Sequence, residues 1–220
     1  MKIIGHRGAA GLALENTIES IKEGVSAKAD YIEIDVRETH DKKLVLSHDE
    51  NLKRTYGVDL KIKDHRLQDL RIPCPKLPTL ESALKACRTE GIIIELKEYI
   101  DPKLIFDEIQ KYPDLDIRIA SFNHHLIREI KKRKPNLFCY VLEHHSPFEI
   151  INHAKAMKAD GIGLNYSMIN PLTYLLARRA KLHIYVYTLN KPWIARGLKW
   201  LYKDIYICTD YPNTLKDLRN

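Results

Sequence analysis

Eight short runs rich in β-branched residues recur along the chain, and amphipathic stretches separate them. The runs are Lys2–Gly5, Tyr31–Val36, Ile92–Leu96, Ile117–Ser121, Phe138–Glu143, Gly161–Asn165, His183–Thr188 and Ile205–Thr209. The intervening stretches read as helices over Thr17–Ala27, Leu80–Arg88, Pro102–Lys111, His125–Arg133, Phe148–Ala156, Pro171–Arg179, Trp193–Trp200 and Asn213–Leu218. Apolar residues recur there at three- and four-residue spacing, as at Leu80, Ala83, Leu84 and Cys87. Strand alternating with helix requires a parallel sheet covered by helices. Eight such units predict a closed (β/α)8 TIM barrel, one domain over residues 1–220 and compact for its class.

One run breaks the alternation. Lys42–His48 follows the second strand too closely for a helix to intervene, so it predicts an antiparallel β-hairpin extension. Asp49–Pro78, with prolines at 73, 75 and 78, then reads as a short, partly irregular insertion after strand two.

The remaining bulk properties mostly exclude. No run approaches the roughly 18 apolar residues of a membrane span, and the N-terminal residues Met1–Gly8 carry no signal-peptide apolar region. The four cysteines form no CxxC pair. Cys139 and Cys208 fall inside apolar runs and read as buried thiols. The expectation is a cytoplasmic protein with reduced cysteines. A net charge of +7 favours anionic ligands. The densest basic run, Arg128–Lys134, reads as a solvated helix face, and no nucleic-acid motif accompanies it. No nucleic-acid partner and no stable membrane insertion are therefore expected.

Active sites of such barrels lie at the C-terminal ends of the strands. There the chain places His6-Arg7-Gly8, Glu33 and Asp35, His48-Asp49, and Glu95 and Lys97. Glu33 and Asp35, two apart on a strand, share one face, while Ile32, Ile34 and Val36 face the helices. Three carboxylates together repel, by on the order of 4 kcal/mol per pair at ~4 Å and an effective dielectric of ~20. They need protons, local Lys and Arg partners, or a cation; an all-oxygen set suits a hard ion such as Mg²⁺ or Ca²⁺. His6 and His48 have the intrinsic pKa for acid–base work near neutrality. Arg7 and Lys97 can hold a phosphate or pair with the acids. His124, His125, His144 and His145 cluster after strands four and five. They read as exposed or pocket-lining, with a metal role open but unsupported by spacing.

At these residues the sequence resembles the glycerophosphodiester phosphodiesterase family. The resemblance runs through Gly5-His-Arg-Gly8, Glu15-Asn-Thr17, Tyr31–Val36, Thr39, Asp41, Leu46–Asp49, Leu52, Arg54-Thr55, Pro78-Thr-Leu80 and Ile94–Lys97. It continues, more weakly, through Ser121-Phe122, Tyr187–Asn190 and Thr209–Pro212. It departs at Leu14, where proline is usual, at Tyr187, where tryptophan is common, and over Lys203–Ile207.

The resemblance implies a metal-dependent phosphodiesterase that releases glycerol phosphate and an alcohol. By motif position, Glu33, Asp35 and Glu95 resemble the metal carboxylates and His6 and His48 the acid–base pair. Arg7 and Lys97 resemble phosphate contacts, and Asn190 a polar residue that shapes the pocket. The ion implied is Mg²⁺ or Ca²⁺, with Mn²⁺ a further candidate. A cyclic phosphate intermediate is expected, formed by the glycerol C2 hydroxyl. The alternative is a lysophospholipase D-like or other lipid phosphodiesterase on the same barrel, with Phe122, Tyr187 and Trp193 available as an apolar entry.

Overall fold

The computed structural model describes residues 1–87, 91–144 and 146–218. Nine strands form one sheet: β1 (Ile3–Gly5), β2 (Tyr31–Glu38), β3 (Leu44–Leu46), β4 (Gly91–Leu96), β5 (Asp116–Ser121), β6 (Phe138–Glu143), β7 (Gly161–Asn165), β8 (His183–Tyr187) and β9 (Ile205–Thr209). All but β3 are parallel to their neighbours, and β1 pairs with both β9 and β2, which closes the barrel. β3 pairs antiparallel with the far end of β2, Val36 opposite Leu46. The expected (β/α)8 barrel and its hairpin extension are both present.

Nine α-helices are described: α1 (Ile18–Ser26), α2 (Lys53–Tyr56), α3 (Leu67–Arg71), α4 (Leu80–Ala86), α5 (Pro102–Ile109), α6 (His124–Arg133), α7 (Glu149–Met157), α8 (Pro171–Arg179) and α9 (Pro192–Leu201). Their starts are encoded locally. Thr17 and Thr79 each close a capping box with a serine three residues on, and Asp101, Asn123 and Asn170 cap α5, α6 and α8 through their side chains. The last stretch, Pro212–Leu218, forms 3₁₀ turns with a non-helical residue at Leu215, not one helix. The expected helix ends at Arg88 fall outside the described residues. None of the described helices is long and apolar enough to cross a membrane.

Alternation along the strands sorts the core into two layers. Ile32, Ile34 and Val36 pack outward against the helices with Ile92, Ile94 and Leu96. Tyr31, Ile93, Ala120, Tyr140, Leu142, Tyr185 and Cys208 fill the barrel. All four cysteines are buried thiols. The insertion carries its own cluster, Leu52, Ile62, Leu70, Cys74 and Leu77, joined by Val45 of β3.

The basic run on α6 is solvated at Arg128, Lys132 and Arg133, as expected, but not at Lys131. Lys131 is buried, and its ammonium donates to the carbonyls of Pro135 and Leu137 and to Asp160. It closes the turn between α6 and β6, a task for three donors on one long stem.

The N-terminal end of the barrel is plugged by polar aromatics around Arg118. Its guanidinium donates to the hydroxyls of Tyr31 and Tyr140 and pairs with Asp116, lying over the Tyr31 and Phe138 rings. His183 Nδ1 meets the Tyr140 hydroxyl at 2.9 Å. Burial, with Arg118 nearby, pushes the His183 pKa down to about 4. The unfolded chain therefore takes up this proton first, near pH 6.5. Stability is lost as pH falls from 6.5 to 4, by about 3 kcal/mol at most. In chemical denaturation, His183→Asn is expected to flatten the pH dependence of unfolding over this window by close to one proton. An unchanged slope would place the titrating group elsewhere.

Candidate active site

The site is built on the C-terminal ends of β1, β2 and β4 and on the turns that follow β3, β8 and β9. The chain leaving β1 turns sharply, with Arg7 at φ 49° and Gly8 at φ 90°. A Cβ on Gly8 would lie 2.5 Å from the backbone carbon of Ser20 and 2.7 Å from the nitrogen of Ile21, so only glycine lets this turn seat on α1. The turn puts the Arg7 amide on Glu33 Oε2 at 2.8 Å and the Gly8 amide on the Glu33 carbonyl.

Strand register brings the acids together. Asp35 lies directly beside Glu95 across the β2–β4 pair, and Glu33 is one pleat earlier on the same face. One oxygen from each of Glu33, Asp35 and Glu95 falls within 4.8 Å of the others. Glu33 Oε1 is buried without a hydrogen-bond partner. Asp35 is held on all sides: Arg7 Nε at 3.3 Å, Lys97 Nζ at 3.5 Å, and the Asn16 side chain in a two-way bond with the Asp35 carboxylate and amide. Lys97 also pairs with Glu95.

These surroundings split the three carboxyls. Burial works against every ionised form, but Lys97, Arg7 and the Asn16 amide outweigh it at Asp35, whose pKa is lowered. Glu33 is pushed up to about 8 by burial and then by the Asp35 charge. Glu95 is raised by the same two causes, less the opposing effect of Lys97.

Each histidine has a carboxylate of its own. His6 Nδ1 lies 2.7 Å from Asp210 Oδ1, and its Nε2 lies 4.0 Å from Glu33. Burial lowers the His6 pKa, but the Asp210 bond and the Glu33 charge reverse the sign and leave it raised. His48 Nδ1 lies 2.7 Å from Asp49 Oδ1; burial prevails there and the pKa is lowered. In both residues Nδ1 is engaged, so Nε2 is the nitrogen available to a ligand.

The structure brings His6, Arg7, Glu33, Asp35, His48, Glu95 and Lys97 into one network, as the strand-end argument expects. Asn190 enters it indirectly: its amide donates to Asp210, and its oxygen accepts from Thr209 and the Asp210 amide. Five residues to which sequence reasoning gave no role complete the network. Asp210 and Asp49 orient the histidines. Asn16 holds Asp35. Glu15 bridges Arg7 and Arg54, and Arg54 in turn binds Asp49. All five lie in or beside the motif blocks; Asp49 is the chain neighbour of His48, but the other pairings span 5 to 204 residues, which spacing does not reveal.

Of the histidines after β5 and β6, His124 and His144 are ordered by contacts and His125 is exposed. His145 lies outside the described residues. Phe122 and Tyr187 meet edge-to-face at 6.4 Å, with Lys97 above the Phe122 ring. Trp193 is exposed on α9.

Because the Glu33 carboxyl binds its proton more tightly folded than unfolded, ionisation opposes folding as pH rises from 4.5 to 8. In chelator, Glu33→Gln is expected to melt higher than the parent, the gap opening over that window to on the order of 10 °C. Added Mg²⁺ or Ca²⁺ should then raise the Tm of the parent and not of the variant. A variant that gains no stability at pH 8 in chelator would contradict the repulsion argument.

Known proteins resemble this chain in sequence and fold. A sequence model described as the glycerophosphoryl diester phosphodiesterase family matches residues 6–214. The chain is 29% identical to YhdW of Bacillus subtilis, over 97% of this chain and 96% of that protein. It is 36% identical to human lysophospholipase D GDPD1, over 60% of this chain and 40% of the relative. The crystal structure of a glycerophosphodiester phosphodiesterase from Thermotoga maritima superposes with a TM-score of 0.86 at 27% identity, covering 99% of this chain and 97% of that one.

Proposed function

This chain belongs to the glycerophosphoryl diester phosphodiesterase family, and from that membership and the site geometry we propose that it hydrolyses glycerophosphodiesters to glycerol phosphate and an alcohol. The carrying observation is the pair of carboxylate-anchored histidines, His6–Asp210 and His48–Asp49, set about a buried acid cluster with Arg7 and Lys97.

The acid cluster fits a hard divalent ion. Three carboxylates converge, Glu33 Oε1 is buried without a hydrogen-bond partner, and the donor set is all oxygen. Glu33, Asp35 and Glu95 would hold Mg²⁺ or Ca²⁺, and Mn²⁺ is compatible with the same donors. Such an ion supplies a counter-charge to the phosphoryl oxygens as negative charge develops there.

The chain's own groups do the rest. Arg7 and Lys97 attract and orient the phosphate at the cluster. One histidine takes the proton of the glycerol C2 hydroxyl through Nε2 as that oxygen attacks phosphorus. The other gives its proton to the departing alcohol. A cyclic phosphate results, and water opens it with the two roles exchanged. The attack is intramolecular, with an effective molarity of about 10⁵ M or more, so two histidines and fixed charges suffice. Asp210 and Asp49 keep each imidazole turned so that Nε2 faces the substrate, and Asn190 and Arg54 fix those carboxylates in turn.

A second reading, action on lysophospholipids, is favoured by one feature. A largely apolar cavity of about 490 Å³ lies beside the mouth, lined by Ala13, Leu14, Tyr56, Pro73 and Pro75. It is bounded by the loop that carries Glu15 and Asn16 into the site.

Release of glycerol phosphate from glycerophosphocholine is expected to stop in chelator and return with Mg²⁺, Ca²⁺ or Mn²⁺. His6→Ala and His48→Ala should each lower kcat by about 10²–10⁴-fold. A diester without the neighbouring hydroxyl should be inert, and its rapid cleavage would exclude the cyclising route. Faster turnover of a lysolipid than of glycerophosphocholine would favour the second reading.

A further inference from the structure

A second cluster of metal-ligating side chains stands outside the acid site. His124 is the first residue of α6, Glu143 the last of β6, and His153 lies in the middle of α7. One ligating atom from each falls within 4.8 Å of the other two. His153 Nδ1 is 3.7 Å from Glu143 Oε2, too far for a hydrogen bond, and this nitrogen is buried without a hydrogen-bond partner. Two ligands at ~2.1 Å from one tetrahedral ion stand roughly 3.4 Å apart, close to that separation. The His124 ring, 4.7 Å from that of His153, has Nε2 3.0 Å from the Leu142 carbonyl. A carbonyl only accepts, so Nε2 carries the proton and Nδ1 carries the lone pair. A backbone carbonyl that fixes the tautomer in this way is the usual support of a metal-ligating histidine.

From this geometry we propose that His124, Glu143 and His153 form a second metal site, for Zn²⁺ or a similar borderline ion, with water as the fourth ligand. The donor chemistry separates the two sites: two imidazoles and one carboxylate here, three carboxylates at the mouth. The ion ties together the turns after β5 and β6. Those turns carry part of the rim, because the Tyr187 hydroxyl donates to the Glu143 carbonyl and His144 stacks on Phe122 at 4.0 Å. The assignment does not depend on the catalytic reading.

The test is calorimetric titration of chelator-stripped protein with Zn²⁺ in saturating Mg²⁺. One site of micromolar or tighter affinity is expected. His153→Ala changes a half-buried side chain on the helix surface and should keep the parent's circular dichroism and its Mg²⁺-induced rise in Tm. It should nonetheless weaken Zn²⁺ binding about 100-fold or more, since even the outer partners of a ligand matter on a 10–100-fold scale. His124→Ala should do the same, and Glu33→Gln should leave the Zn²⁺ isotherm intact. An isotherm unchanged in both histidine variants, one lost in Glu33→Gln, or no binding with Zn²⁺ raised to about 100 μM, well above the micromolar affinity expected of such a site, would each overturn the proposal.

Discussion

Two carboxylates two residues apart on β2 and a third beside them on β4 cannot share one buried wall without counter-charge, and the layout of the barrel mouth follows from how that charge is met. Asp35 receives Arg7, Lys97 and the Asn16 side chain and stays ionised. Glu33 receives one backbone amide and retains its proton far more readily. The tight turn at Arg7 and Gly8 and the left-handed backbone at Asn16 exist to deliver these donors to one strand face. A positive φ at two non-glycine residues costs on the order of 1 kcal/mol each, which is small against the repulsion that they help to relieve.

From Asp35 the network spreads outward in two arms. One passes through Arg7 to Glu15, Arg54, Asp49 and His48, and so reaches the insertion. The other passes from Glu33 to His6, Asp210 and Asn190, on the far turns of the barrel. Each histidine is thus held by a carboxylate that is itself held by a further donor. Orientation of this kind matters because a proton crosses only between groups within hydrogen-bond reach of each other.

The barrel was legible because its signals are local and repeated. Every strand from Tyr31–Val36 to Ile205–Thr209 is a short β-branched run, and the spacing of two between Glu33 and Asp35 fixes their shared face. Strand ends then collect His6, His48, Glu95 and Lys97, because the fold puts all those ends on one side. What could not be read were partners set by three-dimensional closure. Asp210 follows the last strand, and nothing in its neighbourhood announces that it meets His6. Lys131 looked like one more surface lysine in a basic run until the turn at Pro135–Leu137 supplied carbonyls to bury it. The 3₁₀ turns at Pro212–Leu218 carry apolar residues at helical spacing, but a kink at Leu215 seats them against α9 and β1 instead.

The small core of the insertion has a thermodynamic consequence. Leu52, Ile62, Leu70, Cys74 and Leu77 pack mostly among themselves, apart from the cluster that joins strands to helices. A segment with its own modest core can open as a cooperative unit at a lower free energy than the whole domain. Such opening would carry Asp49 and Arg54 away and leave His48 without its orienting partner, while the eight parallel strands stayed intact. Inactivation by heat or denaturant would then precede the loss of barrel structure. The working range of the molecule would be set by this side unit and not by the barrel that makes up most of its mass.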